Sequence, residues 1–406
     1  MKKLFPLISS VVLLLGIAGC NSKPDFNKLV VRMKYSHDAI IRIRIVEELS
    51  AIKDPNLVDT LMALIRPETL DGNVYSDAIE VLGNLGDKRA VDELISRIMD
   101  HDLYRHSIAI NALEKIDTAW RYTEKAKSYV PVLIKQLESD DVLKKSDAVQ
   151  ILGMIADKRA EEPLIRALSE KVPYIRTDLF NALGQIGGEN GLKALVSVLK
   201  DNYNDTEEEA ILSSIESKRM QPYLKGNKDI VDPLIKILNH SYNTSLRIRS
   251  ISVMRHLRDD RIFKCMKENL TDLYVSRRIA ESLSEYHWRP ENRADSVHYF
   301  IAKRDKNSLM ADWKKTREVL MSDLRSRDAK ASVNAIYAFQ GLADGEAIED
   351  LVNIMNHQGL WSMSLAGFLI NYGNQTLSDA AKNWAEGYGY KIESINGVSR
   401  GSLESF

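Results

Sequence analysis

The residues through which this 406-residue chain could do chemistry are two cysteines, Cys20 and Cys265, eight histidines, and a block of closely spaced arginines. Two cysteines so far apart exclude a C-x-x-C zinc or haem-attachment motif. The histidines are His37, His101, His106, His240, His256, His287, His298 and His357, and none is followed by Glu. There is thus no H-E-x-x-H zinc helix, and no Walker loop or G-x-G-x-x-G turn occurs. His101 and His106, on either side of Tyr104-Arg105, read as exposed turn residues rather than metal ligands. Cys265 lies in the run Arg261–Leu270 beside Ile262 and Met266, and reads as a small buried apolar residue. The expectation is a chain with no catalytic constellation, no cofactor and no metal.

The arginines are more informative. Formal net charge is −1 for the whole chain, which excludes a generic nucleic-acid binder. Between Thr244 and Lys330, however, 20 Lys and Arg face 13 Asp and Glu, a net of +7. The block includes Arg247, Arg249, Arg255, Arg258, Arg261, Arg277 and Arg278. Arg247, Arg249, Arg277 and Arg278 are the candidate partner-binding residues, since a basic edge would receive an anionic partner. Their pairs lie 30 and 29 residues apart, about one repeat, so Arg247 is expected over Arg277, and Arg249 over Arg278 or its neighbour. Asp259, Asp260 and Glu281 are close enough in sequence to neutralise such a ladder from within. The four C-terminal tryptophans, Trp288, Trp313, Trp361 and Trp384, are expected mostly in core or cap, with room for one or two exposed anchors.

What positions these residues begins with the N-terminus. Lys2 and Lys3 precede an apolar stretch from Leu4 to Ile17, too short for a permanent membrane span but suited to a signal peptide. It ends in Ile17-Ala18-Gly19-Cys20, which resembles the bacterial lipobox. That resemblance implies cleavage before Cys20, acylation of Cys20, and a membrane partner reached through the lipid anchor. With Cys20 acylated, no intramolecular disulfide can form. By the enterobacterial sorting analogy, Asn rather than Asp at position 21 sends the protein to the outer membrane, facing the periplasm. From Asn21 to about Phe26 the chain reaches roughly 20 Å if extended, so the body stays close to its membrane.

The body is self-similar. Ala78–Ala90 reads AIEVLGNLGDKRA and Ala148–Ala160 reads AVQILGMIADKRA, with seven of thirteen positions identical. Weaker copies align Leu49, Leu82, Leu113, Leu152 and Leu183, at spacings of 33, 31, 39 and 31. Apolar residues at helical spacing, as in Ala78, Val81, Leu82 and Leu85, give a first helix. A small residue after the leucine (Gly83, Gly153, Gly184) suits close helix approach. A turn follows whose Asp can cap the second helix, most clearly at Asp54-Pro55. Pro131, Pro163 and Pro233 fit early helical turns. No alternating strand pattern and no Asn-Gly hairpin of consequence stands out.

These units resemble HEAT repeats, particularly the HEAT-like type of the phycobilisome lyases. The resemblance implies an all-α fold, an α-solenoid or superhelix of stacked two-helix repeats sharing one core. Tyr286-His287-Trp288-Arg289-Pro290 resembles the W-x-P insertion of that family. Arg247 and Arg277 resemble its structural arginines at helix starts. The chain departs from the iron-dependent HEAT-like hydroxylases, whose His-Glu dyads it lacks entirely. The expected layout is a signal peptide at 1–19, then the lipidated cysteine, tether and first helix at 20–37. Repeats occupy 38–285, the W-x-P insertion 286–317, further repeats and a cap 318–390, and a flexible tail 391–406. The repeats loosen around Asp201–Gly226, where the acidic run Asp205–Glu209 reads as a loop or a helix N-terminus. The function expected is a membrane-anchored, non-enzymatic scaffold binding a protein partner, possibly an acidic one, with no nucleic acid. A lyase-like or other enzyme, or a lipid- or glycan-surface protein, are the alternatives.

Overall fold

The computed structural model describes residues 25–65, 72–98, 103–201, 204–326, 328–342, 345–358, 363–370, 374–395 and 398–403. The signal sequence, Cys20, His101 and Trp361 lie outside them. Nearly all described residues are helical, and the chain divides into two compact units, one ending at Ile186 and the other starting at Gly187.

The first unit stacks helix pairs. Its leading helices are Ala39–Ser50, Gly72–Leu85, Leu103–Ile116, Val142–Ile155 and Pro173–Ile186. Leu49, Leu82, Leu113, Leu152 and Leu183, the residues that align the repeats in sequence, are all buried. Gly83 lies where an added Cβ would stand 2.9 Å from Ala112 Cα, and Gly153 stands in the same relation to Ala182, also at 2.9 Å. Any side chain there would force the helices apart, which is why the sequence places glycine after the leucine.

The turns between paired helices are held by their aspartates. Asp54 accepts from Asn56 N at 2.9 Å and leads Pro55 into the helix Pro55–Leu64. Asp87 and Asp157 each cap a short 3₁₀ turn, accepting from Arg89 N and Arg159 N, and only then does the second helix begin. The arginine in this Asp-Lys-Arg sequence does a second job. Arg89 donates to Asp87 and reaches back to Asp59 Oδ1 at 2.9 Å and Pro55 O at 3.0 Å, in the preceding repeat. Arg159 spans from Asp157 to Lys127 O at 2.9 Å. In the second unit Arg261 joins Asp259 to Asp232 in the same way. The carboxyls of Asp87, Asp157 and Asp259 are held below their ordinary range, chiefly by their arginine partners.

The second unit runs from the helix Glu189–Asp201 through Asp205–Ile215, Val231–His240, Thr244–Met254, Asp260–Glu268 and Ser276–Glu285. The acidic run starts the helix Asp205–Ile215, capped by Asn204, whose side chain accepts from Thr206 N and Glu207 N. Gly187 has φ +66° and stands so close to Arg219 O that a Cβ would lie 2.6 Å away. The segment expected as an insertion is itself helical, at Arg293–Lys303 and Lys306–Met310, and position 317 falls inside the helix Trp313–Leu324. Ala329–Leu342, Gly345–Gln358, Met363–Ile370 and Gln375–Gly387 complete the helices.

The expectation of a flexible tail over 391–406, with no hairpin, is corrected at the C-terminal end. Tyr390–Ile395 and Val398–Leu403 pair antiparallel, Tyr390 opposite Leu403 and Ile395 opposite Val398. The sequence between the strands is Asn396-Gly397, the dipeptide favoured in two-residue hairpins because both positions tolerate positive φ. Trp384 stacks on Tyr390 with ring centroids 5.6 Å apart, tying the hairpin to the last helix.

Candidate functional site

The basic block lies in the second unit, and most of its cations are already engaged. Arg247 is buried; its Nε donates to Leu238 O at 2.8 Å and its guanidinium to Asp272 Oδ2 at 2.6 Å. Lys330 Nζ reaches the same carboxylate at 3.0 Å and Asn269 Oδ1 at 3.2 Å. Burial alone would push the Asp272 carboxyl up, but Arg247 and Lys330 outweigh it and hold it below the usual range. Arg249 donates to Glu209 Oε1 at 2.5 Å and to Glu216 Oε2 at 2.6 Å. Arg278 donates to Ser252 Oγ at 3.1 Å and Glu281 Oε2 at 3.2 Å. Arg258 lies over the Tyr286 ring at 4.2 Å, and Arg255 is 3.7 Å from Glu285.

The expected ladder of Arg247 over Arg277 is not what forms. Between these two helices the burial pattern repeats at 29 residues: Leu246 with Val275, Arg247 with Ser276, Ser250 with Ile279, Met254 with Leu283. A 30-residue spacing is therefore one residue out of step, about 100° around a helix. Arg247 takes the place of a buried serine, and Arg277 turns outward, paired only with Glu281 at 3.3 Å and 69% exposed. Arg249 and Arg278 do share a register, but carboxylates neutralise both. Glu281 is one of those carboxylates, as expected; Asp259 is taken by Arg261 instead, and Glu209 and Glu216 do the work for Arg249.

Arg277 opens on a groove of about 910 Å³. Its edges are the loop before Thr244–Met254, carrying Tyr242, and the loop before Ser276–Glu285, carrying Tyr274. Both tyrosines are fully or largely exposed. The opposite side is formed by Arg304, Lys330, Val333 and Tyr337. Arg304, in left-handed conformation at φ 56°, has no carboxylate partner among the described residues. With Arg247, Arg277, Arg304 and Lys330 against Asp272 alone, the lining carries a net +3. Reading the sequence for charge locates this block and counts Arg304 and Lys330 without singling them out, but misses Tyr242, Tyr274 and Tyr337. The available signal was an aromatic residue inside a polar turn, Ser241-Tyr242-Asn243.

Cys265 is buried, as its neighbours imply, and burial pushes its thiol up to about 11. Among the described residues no three His, Cys, Asp or Glu converge as a metal-binding group. None of the described helices is long and apolar enough to cross a membrane.

The family model for HEAT repeats matches residues 26–118 and 130–216. No curated protein sequence matches the chain. Among solved structures, the crystal structure of an engineered protein, determined as a structural-genomics target, aligns over 90% of this chain and 98% of its own, at 20% identity and a TM-score of 0.40.

Proposed function

We propose that this HEAT-like repeat solenoid is a non-enzymatic scaffold, held by an acylated Cys20 at a bacterial membrane, whose second unit receives an acidic segment of a partner protein. The observation that carries this reading is the groove edged by Tyr242, Tyr274, Arg277 and Arg304. Tyrosine and arginine dominate protein interfaces because they offer large contact area and directed hydrogen bonds. Two exposed tyrosines and an unpaired guanidinium are the components such an interface would use, and a net positive lining favours carboxylates. The groove's only carboxylate is already bonded to Arg247 and Lys330, so it is not free to act as a base. Cleavage before Cys20 and outer-membrane placement remain part of the same reading, drawn from the lipobox and Asn21.

A photo-crosslinking residue placed at position 274 tests the groove, with one at Tyr174 of the first unit as the control. A discrete adduct from position 274 alone, weakened by added salt and by Arg277→Glu with Arg304→Glu, is the expected result. Equal adducts from both positions, or an adduct indifferent to the reversals, would remove the groove from the binding site. Cys20→Ser tests the anchor separately: the protein should leave the membrane fraction or remain as uncleaved precursor.

A further inference from the structure

The first two helices of the described chain, Phe26–Tyr35 and Ala39–Ser50, do not look like the end of a solenoid in water. A terminal repeat needs a polar outer face, because no neighbour covers it. Here Val31, Tyr35, Ile40, Ile41 and Ile43 are all exposed, Tyr35 at 71%, Ile40 at 66% and Ile43 at 60%. In the helix Ala39–Ser50 the buried residues are Ile45, Val46 and Leu49, and at 100° per residue Ile40 lies opposite them, with Ile41 and Ile43 on either side of it. In the helix Phe26–Tyr35 the buried residues are Leu29, Val30 and Met33, and Val31 and Tyr35 lie opposite. Both helices are therefore apolar on two sides, where a surface helix normally has one apolar stripe.

The aligned leucines show what these positions do elsewhere. Ile41 stands eight residues before Leu49, as Val74 does before Leu82 and Ile175 before Leu183, and both of those are buried. Ile43 corresponds to Ser76, Ser146 and Thr177, while Ile40 corresponds to Asn73 and to the exposed Leu143 and Tyr174. The first repeat thus exposes an apolar residue where Val74 and Ile175 are buried, adds another at the position of Ser76, Ser146 and Thr177, and groups them with Ile40, Val31 and Tyr35 on one face.

We propose that this outer face lies on the surface of the lipid bilayer. The inference rests on the acylation of Cys20 proposed above. Only five peptide steps separate Cys20 from Asp25, the cap of the first helix, so an acylated cysteine confines that helix to within roughly 18 Å of the bilayer surface. Cations flank the apolar residues: Arg32, Lys34 and Arg44 are exposed and have no carboxylate partner among the described residues. Glu47 and Glu48 are exposed on the helix Ala39–Ser50 as well, so the surroundings are mixed in charge with cations in excess; apolar residues interleaved with lysine and arginine are the composition of helices that lie in the headgroup region of anionic membranes. Such a contact would add a second attachment to the acyl chains and would fix which end of the first unit faces the bilayer.

The test uses the acylated full chain in vesicles of phosphatidylethanolamine and phosphatidylglycerol, carrying Ile43→Cys labelled with the fluorophore NBD. Cys265 is buried, with its thiol pushed up to about 11, and so competes poorly for label. Blue-shifted emission at position 43, quenched by spin-labelled lipid, is expected, while a label at Tyr242→Cys emits as in water. Ile40→Glu with Ile41→Glu should return position 43 to aqueous emission while the protein still floats with the vesicles. Aqueous emission from vesicle-bound protein without those substitutions overturns the proposal and spares the anchor. A blue shift that spin-labelled lipid does not quench, and that fades on dilution, assigns the face to a second copy and also overturns it. Failure to float with vesicles removes anchor and surface together.

Discussion

In the first unit leading helices close to backbone distance where glycine faces alanine, beside polar pairs such as Arg42–Asp77 and Ser146–Asp178; in the second, the seams around Thr244–Met254 have no such glycine and are bridged by arginine, serine and carboxylate. Gly83 against Ala112 and Gly153 against Ala182 leave no room for anything but backbone. Arg249 instead crosses to Glu209 and Glu216, and Arg278 to Ser252. Fourteen polar or charged side chains are buried among the described residues, and Ser146 alone belongs to the first unit. Apolar seams stabilise through contact and water release and need only matching shapes. Polar seams give back most of what they gain in desolvation, but they fix where each charge sits. The unit that carries the groove is the one that buries all but one of these polar side chains within its apolar core. Arg247, Asp272 and Lys330 form part of the groove lining while holding Thr244–Met254, the loop before Ser276 and Ala329–Leu342 to one another.

The largest test of this contrast is Asp272→Ala. It leaves the Arg247 guanidinium buried without its carboxylate, and should cost about 3–5 kcal/mol in urea denaturation followed by circular dichroism. Adding Arg247→Met should recover most of the loss; if the double variant is as unstable as the single one, the pair is not the source of the effect. Gly153→Leu comes next, at about 1–3 kcal/mol through overpacking against Ala182. An unchanged melting curve for that variant would show that the first unit's seam is looser than its geometry.

Acid provides a subtler comparison. Glu170 is held at about 2, against an ordinary 4.5, by Lys145 and by the backbone N–H groups of Lys171 and Val172. A carboxyl depressed in the folded state stabilises above its unfolded value and loses that contribution as pH falls. The first unit should therefore weaken between pH 4.5 and about 2, and Glu170→Gln should flatten the slope of stability against pH in that window. The smallest effect is expected from Arg89→Ala. Its links to Asp87, Asp59 and Pro55 O are solvent-exposed, so thermal melting should barely move, while hydrogen exchange at Arg89 N should rise as the turn loosens.

The helix pairs, the aligned leucines and the glycine seams were legible because each depends on residue type at fixed spacing. The second-unit site was legible only as an excess of charge. Whether Arg247 is buried depends on Asp272, 25 residues further on, and no periodicity reports such a partner. The one-residue difference between a 29- and a 30-residue offset, invisible in composition, decides which arginine turns outward. The paired strands Tyr390–Ile395 and Val398–Leu403 are short and largely polar, so they carry no hydrophobic alternation that would mark them in the sequence. Tyr242 and Tyr274 lie in turns, where sequence patterns say least about exposure.

The glycine seams also bear on how the chain could be lengthened or shortened. Gly83 and Gly153 are 70 residues apart, and so are their contacts, Ala112 and Ala182. A glycine and the alanine it faces sit in different repeats, and a larger residue at either one breaks the fit. A single copied repeat would carry one half of this match and land it against a stranger. Two repeats taken together carry the complementary surfaces as a set, so the smallest module that keeps this fit is a pair of repeats, about 70 residues long.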